Sequence, residues 1–290
     1  MARHSRSLSG KVVAVTGGGR GIGAATAAAL ARRGAKVAVG DLDLAQAEKV
    51  AAELGSDAAI ALQLDVTDHA DFTTFLDRVE SDLGPIDVLV NNAGIMPIAL
   101  IEDESDHTTA SQLAVNLHAV IHGSREAVRR MKPRRSGHIV NLASGAGKIP
   151  VGGGATYCAT KFGVAGFTEA LRMEVREAGI DVSGIFPAIV RTELAAGLRG
   201  TRGVRAVTPD DVAEAIVEVL QRPRPEVYVP KALGVSVRYG GLMPRRMGEW
   251  VNRKMGGERM FLDALNSAER KNYEARAAAS APAAEREDAR

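Results

Sequence analysis

The sequence predicts an α/β protein built on a doubly wound parallel sheet of about seven strands, with helices on both faces. Short β-branched runs alternate with helical stretches of a dozen or more residues along residues 11–229. These apolar runs are continuous rather than alternating, as in strands that are buried on both faces. Since no internal repeat or linker divides the pattern, we expect a single domain over residues 1–266. Residues 267–290 are predicted to be a flexible tail that could begin as a helix and becomes disordered around Pro282.

Seven strands are predicted from apolar runs such as the first, KVVAVT. They cover residues 11–16, 36–40, 59–66, 86–90, 137–143, 181–186 and 226–229. Helices are predicted from helical spacing and from glycine or proline near their ends. They cover residues 24–33, 44–54, 71–83, 105–130, 157–178 and 212–220. Residues 188–205 have no clean period and are interpreted as a mobile lid over a pocket or as a plain surface loop.

The composition is that of an ordinary globular protein, with 46% apolar and 25% charged residues. A formal net charge of +2 is too small to argue for nucleic acid as a partner. The single cysteine, Cys158, excludes an internal disulfide and fits a reducing compartment; we interpret it as a packing residue rather than a catalytic thiol. No run approaches the ~18 apolar residues of a membrane span. The pattern therefore predicts a cytoplasmic protein.

A glycine-rich turn, GGGRGIG, joins the first predicted strand to an alanine-rich helix at residues 17–23. Glycines such as Gly17, Gly21 and Gly23 let the backbone turn tightly and approach a pyrophosphate closely. The helix N-terminus adds free N–H groups and the positive end of a dipole. The turn therefore predicts a dinucleotide phosphate site, and the alternative is a tight turn without a ligand.

Two aspartates stand where predicted strands end. Asp41 follows the second strand, where a carboxylate can accept hydrogen bonds from the 2′ and 3′ hydroxyls of a ribose and repel a 2′-phosphate. It therefore favours NAD over NADP, although it could instead cap the next helix, and Arg20 in the glycine turn could help to bind an extra phosphate. Asp65 ends the third strand, where it could accept a hydrogen bond from an adenine amino group.

Tyr157 and Lys161 are four residues apart on a predicted helix, so they lie on the same face. An ammonium near a phenol favours the phenolate, and we expect Lys161 to lower the pKa of Tyr157 from its ordinary value of about 10. Tyr157 is then a candidate proton donor and acceptor for an alcohol or ketone. Ser144, at the end of the fifth strand, could hold the substrate oxygen beside the phenol. The alternative is an unremarkable surface pair.

Polar residues at other predicted elements are also candidates. Asn116 falls inside the helix predicted over 105–130, where asparagine is unfavourable, so we expect a specific partner such as a water. His118 and His122 are four apart, but no third ligand is placed near them, so no metal site is predicted.

Several motifs, in the order in which they occur along the chain, make it resemble the short-chain dehydrogenase/reductase family. They are TGGGRGIG at 16–23, Asp65, NNAG at 91–94, Asn116, Ser144 and YCATK at 157–161, within a match over roughly residues 9–230. The resemblance implies a Rossmann-type fold that binds a nicotinamide dinucleotide and transfers a hydride to or from a secondary alcohol or ketone. It also implies a homo-oligomer, a dimer or tetramer.

The resemblance assigns roles to single residues. Tyr157 is implied as the acid/base, Ser144 as the residue that orients the substrate oxygen, and Lys161 as the group that lowers the tyrosine pKa and holds the nicotinamide ribose. Asn116 is implied to fix a water in a proton relay. The implied cofactor-binding set is Gly17, Arg20, Gly21, Ile22, Gly23, Asp41, Asp65, Val66, Asn92, Ala93, Gly94, Tyr157, Lys161, Pro187, Val190 and Thr192.

The chain departs from the family pattern in two places. The family usually has Pro-Gly after the sixth strand, but here Pro187 is followed by Ala188, which bears on the contacts to the carboxamide and on substrate size. Residues 231–265 extend past the usual end and mix apolar residues with seven Lys and Arg.

This extension could wall the substrate pocket, contact another subunit, lie on an anionic membrane surface or simply pack against the domain. If it walls the pocket, the substrate is bulky and apolar, such as a sterol, retinoid or lipid. The alternative functions are an NADPH-dependent ketone reductase and a non-catalytic protein that senses dinucleotides.

Overall fold

Seven strands form one parallel sheet with the order β3-β2-β1-β4-β5-β6-β7. The computed structural model describes residues 5–198, 207–240, 244–254, 261–265 and 267–278. The strands are β1 (Val12–Thr16), β2 (Lys36–Asp41), β3 (Ala59–Gln63), β4 (Val88–Asn91), β5 (Gly137–Leu142), β6 (Ile180–Pro187) and β7 (Glu226–Val229). The strand order reverses between β1 and β4, which creates the crevice where open α/β sheets bind their ligands.

Ten α-helices lie in the described residues. They are α1 (Gly21–Ala31), α2 (Leu44–Leu54), α3 (His69–Leu83), α4 (Asp106–Leu113), α5 (Ala119–Met131), α6 (Ala155–Val175), α7 (Pro209–Gln221), α8 (Lys231–Gly240), α9 (Arg245–Lys254) and α10 (Ala268–Ala278). A five-residue π-helical segment, Ala114–His118, joins α4 to α5. The long helix predicted over 105–130 is therefore interrupted in its middle.

The sheet is covered on both faces, which confirms the predicted doubly wound architecture. Successive residues of a strand point to opposite faces, and Val13 and Val15 of β1 join the core cluster that contains residues of α1, α2 and α7. Val12 and Ala14 join the opposite cluster, which contains residues of α3, α5 and α6. Continuous apolar runs are thus explained by burial on two sides.

Helix starts follow ordinary capping chemistry. The Asp43 carboxylate accepts a hydrogen bond from the Gln46 N–H at the start of α2, and Thr208 and Asp211 form a capping box at the start of α7. The predicted ends differ from the observed ones in places. The first helix starts at Gly21 rather than residue 24, because the last glycines of the turn already form its first turn.

Buried amides connect the central strands to the helices behind them. The Asn91 side-chain N–H group donates to Asn141 Oδ1 at 2.9 Å and to Ser124 Oγ at 3.1 Å. The Asn141 amide in turn donates to Thr168 Oγ1 at 3.0 Å. Polar groups in a dry core must be paired, so this network fixes β4, β5, α5 and α6 relative to one another.

The C-terminal segment carries structure beyond the predicted extension. Residues 268–278 form α10, on which Arg270 and Tyr273 are buried. The sequence allows the tail over 267–290 to begin as a helix, but it does not predict this burial. Residues 279–290 of the predicted tail and residues 199–205 of the predicted lid lie outside the described residues. Among the helices of the described residues, none has the length and apolar character needed to cross a bilayer.

One buried histidine makes the stability of the fold depend on pH. His138 Nε2 lies 2.9 Å from Ser183 Oγ, and burial lowers the pKa of His138 to about 4, although the charge of Asp181 opposes the shift. An unfolded chain protonates histidine near pH 6.5. The unfolded state therefore binds more protons between these values, and stability that is fully present above about pH 6.5 is lost as pH falls towards 4.

We predict that His138→Gln, which removes the titration, flattens the pH dependence of the free energy of unfolding between pH 7 and 4.5. Urea denaturation at a series of pH values measures this slope. The matched control is His118→Gln at an exposed position, which should keep the wild-type slope. Equal slopes for His138→Gln and wild type would contradict the account.

Candidate active site

The candidate residues gather at one edge of the sheet. Parallel strands end on the same side, so the turns after β1, β2, β4, β5 and β6 meet at the carboxyl edge, next to the point where the strand order reverses. The structure places the glycine turn, Asp41, the segment that follows Asn91, Ser144 and the segment after Pro187 along this edge.

The glycine turn requires glycine at specific positions. Gly17 and Gly21 have φ of 62° and 53°, in the left-handed region that favours glycine. A Cβ atom on Gly23 would lie 2.1 Å from the Gly17 carbonyl oxygen, so a side chain there cannot fit without moving the turn. The N-cap residue of α1, Arg20, makes no side-chain cap. The first N–H groups of α1 therefore remain available for an anion.

Asp41 is held at the rim of this turn. Its Oδ2 accepts a hydrogen bond from the Gly19 N–H at 2.8 Å, and its Oδ1 accepts one from the Asp43 N–H at 3.1 Å. Asp43, not Asp41, caps α2, so the alternative role for Asp41 is not the one observed. Arg20 forms an ion pair with Asp43 at 2.5 Å.

Asn92 ties the end of β4 to the glycine turn. Its side-chain amide donates to the carbonyl oxygens of Thr16 and Gly17, each at 2.9 Å. The Thr16 hydroxyl accepts hydrogen bonds from the backbone N–H groups of Asn92 and Ala93 at 3.1 Å. The amide side chain of Asn92 thus positions the turn.

Asp65 and Val66 lie after β3. The Asp65 carboxylate accepts hydrogen bonds from the Thr67 N–H at 3.0 Å and from the Thr67 hydroxyl at 2.7 Å. Val66 is buried. Gly94 lies closer to the centre of the site: a Cβ atom at this position would be 3.2 Å from Asn116 Oδ1 and 3.7 Å from Lys161 Nζ. The missing side chain leaves open space between these two groups.

Asn116 lies in the π-helical segment and is fully buried. Its amide donates to the Ile95 carbonyl oxygen and its Oδ1 accepts from the Ile95 N–H, both at 2.8 Å. A weaker contact of 3.3 Å reaches Thr160 Oγ1. We expected a specific partner such as a water; the partner observed is the backbone after β4. A π-bulge at a functional site turns the side chain towards that loop.

Tyr157 and Lys161 lie on one helix, as their spacing predicts, and Ser144 lies beside the tyrosine. Tyr157 and Lys161 lie on α6, are each 5% exposed, and the Lys161 Nζ is 5.8 Å from the centre of the Tyr157 ring. Lys161 Nζ also donates to the Leu142 carbonyl oxygen at the end of β5, at 2.9 Å. Ser144 Oγ accepts from the Ala146 N–H at 3.1 Å and hydrogen-bonds with the Tyr157 phenol.

Burial dominates the protonation of this group of residues. It raises the pKa of the Tyr157 phenol well above its ordinary value, while the hydrogen bond with Ser144 and the charge of Arg270 act in the lowering direction. Burial also lowers the pKa of the Lys161 ammonium to about 8. The sequence predicts that Lys161 makes the phenol more acidic, but the structure shows the opposite direction: burial is the largest effect on this group and raises its pKa. A neutral phenol can donate its proton to a substrate oxygen.

The C-terminal segment lies against the phenol. The rings of Tyr157 and Phe261 are 6.4 Å apart, and both belong to a buried cluster with Met96 and Ile98. Phe261 falls in the extension predicted over 231–265, so this part of the segment walls the site. The rest of that cluster is also apolar.

Helix α10 joins two loops that flank the site. The Tyr273 hydroxyl accepts a hydrogen bond from the Met96 N–H at 2.7 Å, on the loop after β4. The fully buried Arg270 donates to the Leu194 carbonyl oxygen at 2.8 Å, on the segment after β6, and pairs with Glu274 at 3.1 Å. Sequence reasoning missed both residues, because their partners are far away in the chain and the Ala-rich, charged composition is typical of an exposed tail.

The segment after β6 forms the other wall. Ala188 has no left-handed backbone conformation, so replacing the usual glycine costs little there. Thr192 faces the glycine turn: a Cβ atom on Gly21 would lie 3.2 Å from Thr192 Cγ2. A cleft of about 830 Å³ lies between them, with Val190, Thr192, Arg20 and Gly21 in its walls.

The remaining candidates pack rather than react. His122 stacks on His69 with the ring centres 4.0 Å apart, and in the described part of the chain no group of three or more His, Cys, Asp or Glu is arranged to hold a metal. Cys158 Sγ contacts the Val151 backbone, and burial raises the pKa of the thiol. A thiol kept protonated is a poor nucleophile.

Comparison with known proteins places these features in a family. A family model for short chain dehydrogenases matches residues 11–203, more than half of the chain. The chain is 39% identical over 222 residues to a D-threitol dehydrogenase of Mycolicibacterium smegmatis, covering 72% of this chain and 85% of the relative.

Two further relatives are similar to this chain over most of its length. A 3-alpha-(or 20-beta)-hydroxysteroid dehydrogenase of Mycobacterium tuberculosis is 41% identical over 190 residues, covering 66% of this chain and 73% of the relative. An uncharacterized oxidoreductase of Staphylococcus saprophyticus is 34% identical over 223 residues, covering 73% and 91%. This protein therefore belongs to the short chain dehydrogenase family and is an oxidoreductase that transfers a hydride between a nicotinamide cofactor and an alcohol or ketone.

Proposed function

We propose that this chain is an NAD-dependent dehydrogenase that interconverts a bulky, apolar secondary alcohol and its ketone. The observation that carries the proposal is the placement of buried Tyr157 and Lys161 beside Ser144 at the carboxyl edge of the sheet. On the cofactor side of the site, the glycine turn and Asp41 lie along the same edge.

The residues at this edge fit a nicotinamide dinucleotide. The glycine turn leaves N–H groups of α1 free for a pyrophosphate, and the close approach of Gly23 to the Gly17 carbonyl oxygen keeps the turn tight. Asp65 and Val66 would line the adenine side, and Gly94 would leave room beside Lys161. The segment after β6 would enclose the other half. When bound, the cofactor supplies the hydride chemistry. The full proposed set is Gly17, Arg20, Gly21, Ile22, Gly23, Asp41, Asp65, Val66, Asn92, Ala93, Gly94, Tyr157, Lys161, Pro187, Val190 and Thr192.

Asp41 supports NAD over NADP. Its carboxylate is fixed by two backbone N–H groups at the rim of the glycine turn, where it would accept bonds from ribose hydroxyls and repel a 2′-phosphate. Arg20, which could favour NADP, is already paired with Asp43. The same observation disfavours an NADPH-dependent ketone reductase.

The chain's own residues divide the proton chemistry among them. In the oxidation direction, Tyr157 would accept the proton of the alcohol while Ser144 holds the substrate oxygen. Lys161 would hold the nicotinamide ribose and, as a buried cation, stabilise the phenolate. Asn116 commits its amide to the Ile95 backbone, so we assign it the positioning of that loop, and any water of a relay would have to bind elsewhere on the segment.

The walls near Tyr157 favour an apolar substrate. Met96, Ile98 and Phe261 surround the phenol, and Val151 and Leu198 pack against them. One relative is named for a hydroxysteroid and another for threitol, a small polyol. Apolar walls match the first class better, because unpaired hydroxyls of a polyol would lose hydrogen bonds there.

We predict that Tyr157→Phe lowers turnover by at least about 100-fold, since a positioned acid/base contributes on that order. NAD binding should stay within a few-fold of wild type, because the ring is kept. Turnover is measured with a panel of cyclic and steroidal secondary alcohols, and NAD binding is measured by calorimetry. Turnover that persists in Tyr157→Phe would exclude the assigned acid/base.

We predict that Asp41→Ala shifts the NAD/NADP binding ratio towards NADP by roughly tenfold or more, because hydrogen bonds to a charged group contribute about 1.5–3 kcal/mol. Asp57→Ala, at an exposed turn, is the control and should leave the ratio unchanged. An unaltered ratio in Asp41→Ala would refute the role given to this carboxylate.

We predict that Gly23→Ala abolishes dinucleotide binding, because the new methyl group would lie 2.1 Å from the Gly17 carbonyl oxygen. Gly166→Ala is the matched control, since Gly166 is exposed on α6 with nothing within 4 Å of a new Cβ atom. In a helix that change stabilises by up to about 1 kcal/mol. Normal NAD affinity in Gly23→Ala would contradict the described turn.

A further inference from the structure

Two C-terminal helices expose apolar side chains that the proposed reaction does not use. We call the exposed face of α8 and α9, within residues 231–254, the α8–α9 surface. Val235, Tyr239, Met247 and Trp250 are 58%, 60%, 47% and 58% exposed. These are four of the nine large hydrophobic side chains that are exposed in the described residues, although the two helices contain a small part of the chain. Exposed apolar side chains concentrated in two consecutive helices indicate an interaction surface.

The side chains are arranged along helix faces. Lys231, Val235 and Tyr239 are spaced by four residues and lie on one face of α8. Met247 and Trp250 are three residues apart on α9, and Lys254 Nζ lies 5.9 Å from the centre of the Trp250 ring. Apolar and basic groups thus stand next to each other on both helices.

The charge of this segment is opposite to that of the rest of the chain. Residues 231–254 contain six Lys and Arg and a single acidic residue, Glu249, which gives +5. The whole chain has a formal net charge of +2, so the remaining residues sum to −3. An anionic partner would be attracted to this segment and repelled by the remainder, which orients the approach.

We propose that the α8–α9 surface docks the protein on an anionic lipid surface. Basic side chains would bind the headgroups while Val235 and Met247 enter the boundary of the acyl chains. Tyr239 and Trp250 are of the residue types that favour the membrane interface. There the apolar part of the ring can contact acyl chains while its polar group contacts water.

Two other partners fit this surface less well. A second copy of the chain that used the same surface would place one +5 segment against another, and like charges in a two-fold contact repel. A nucleic acid would neutralise the basic side chains, but its phosphate backbone offers no apolar environment to four half-exposed hydrophobic side chains. A lipid surface satisfies both properties together.

The surface adjoins the candidate active site. Leu233 of α8 faces inwards, so that a Cβ atom on Gly145, the neighbour of Ser144, would lie 3.2 Å from Leu233 Cδ2. Docking there would bring a lipid-soluble substrate close to the pocket. The docking itself does not rest on the proposed dehydrogenase activity, and it is tested without turnover.

The test uses the only tryptophan of the chain, Trp250, in the full-length protein. Vesicles of phosphatidylcholine alone and of phosphatidylcholine with a quarter phosphatidylglycerol are added, and Trp250 emission and co-sedimentation are recorded. We expect a blue shift and at least about tenfold tighter binding with the anionic vesicles, with loss of binding at about 0.5 M salt. Lipids with brominated acyl chains should quench the emission.

Matched variants distinguish binding through the α8–α9 surface from nonspecific binding to vesicles. Arg246→Glu combined with Arg253→Glu should weaken binding to anionic vesicles by at least about tenfold, since each basic residue adds to the attraction. Met173→Ser removes a side chain of 63% exposure on α6 and should bind like wild type. Thermal unfolding confirms that each variant is folded.

Three outcomes would overturn the proposal. The first is unchanged Trp250 emission with anionic vesicles, and the second is equal binding to neutral and anionic vesicles. The third is a concentration-dependent blue shift without lipid that the charge reversal abolishes, which would assign the surface to self-association.

Discussion

The hydrogen bond between Lys161 and the end of β5 holds the candidate active site together. Lys161 Nζ donates to the Leu142 carbonyl oxygen at 2.9 Å inside the protein. A buried ammonium is costly unless it is paired, so this contact fixes α6 against the carboxyl edge of the sheet. Tyr157, one turn earlier on α6, is thereby set beside Ser144, which follows β5 by two residues. The geometry of the candidate site is thus a consequence of packing one helix on one strand.

Other polar contacts fix the loops around this centre. Asn116, in a π-helical segment, hydrogen-bonds to both the N–H and the carbonyl oxygen of Ile95. Asn92 links β4 to the glycine turn through hydrogen bonds of its side-chain amide. Helix α10 then connects the loops after β4 and β6 through Tyr273 and Arg270. Each contact replaces water with a protein partner, so the pocket keeps its shape while its walls stay apolar.

Features that depend on residues close together in the chain could be predicted from the sequence. Strand runs, the glycine turn and the spacing of Tyr157 and Lys161 depend on neighbouring residues, and the structure places them as expected. Long-range properties were not predictable: burial raises the pKa of Tyr157, and Phe261, about a hundred residues away, is one of the side chains packed near its ring. Arg270 was missed because its partner Leu194 is 76 residues distant. The homo-oligomer stays a prediction.

The ionisation of Tyr157 tests the account most directly. Tyrosine labelled with ¹³C at the ring carbon that bears the hydroxyl gives one NMR signal for each of the four tyrosines, and Tyr157→Phe assigns the one of interest. Burial predicts that this phenol titrates above the ordinary value of about 10 in the protein alone. It should titrate lower once NAD adds positive charge beside it. An ordinary titration that NAD leaves unchanged would contradict a buried acid/base at this position.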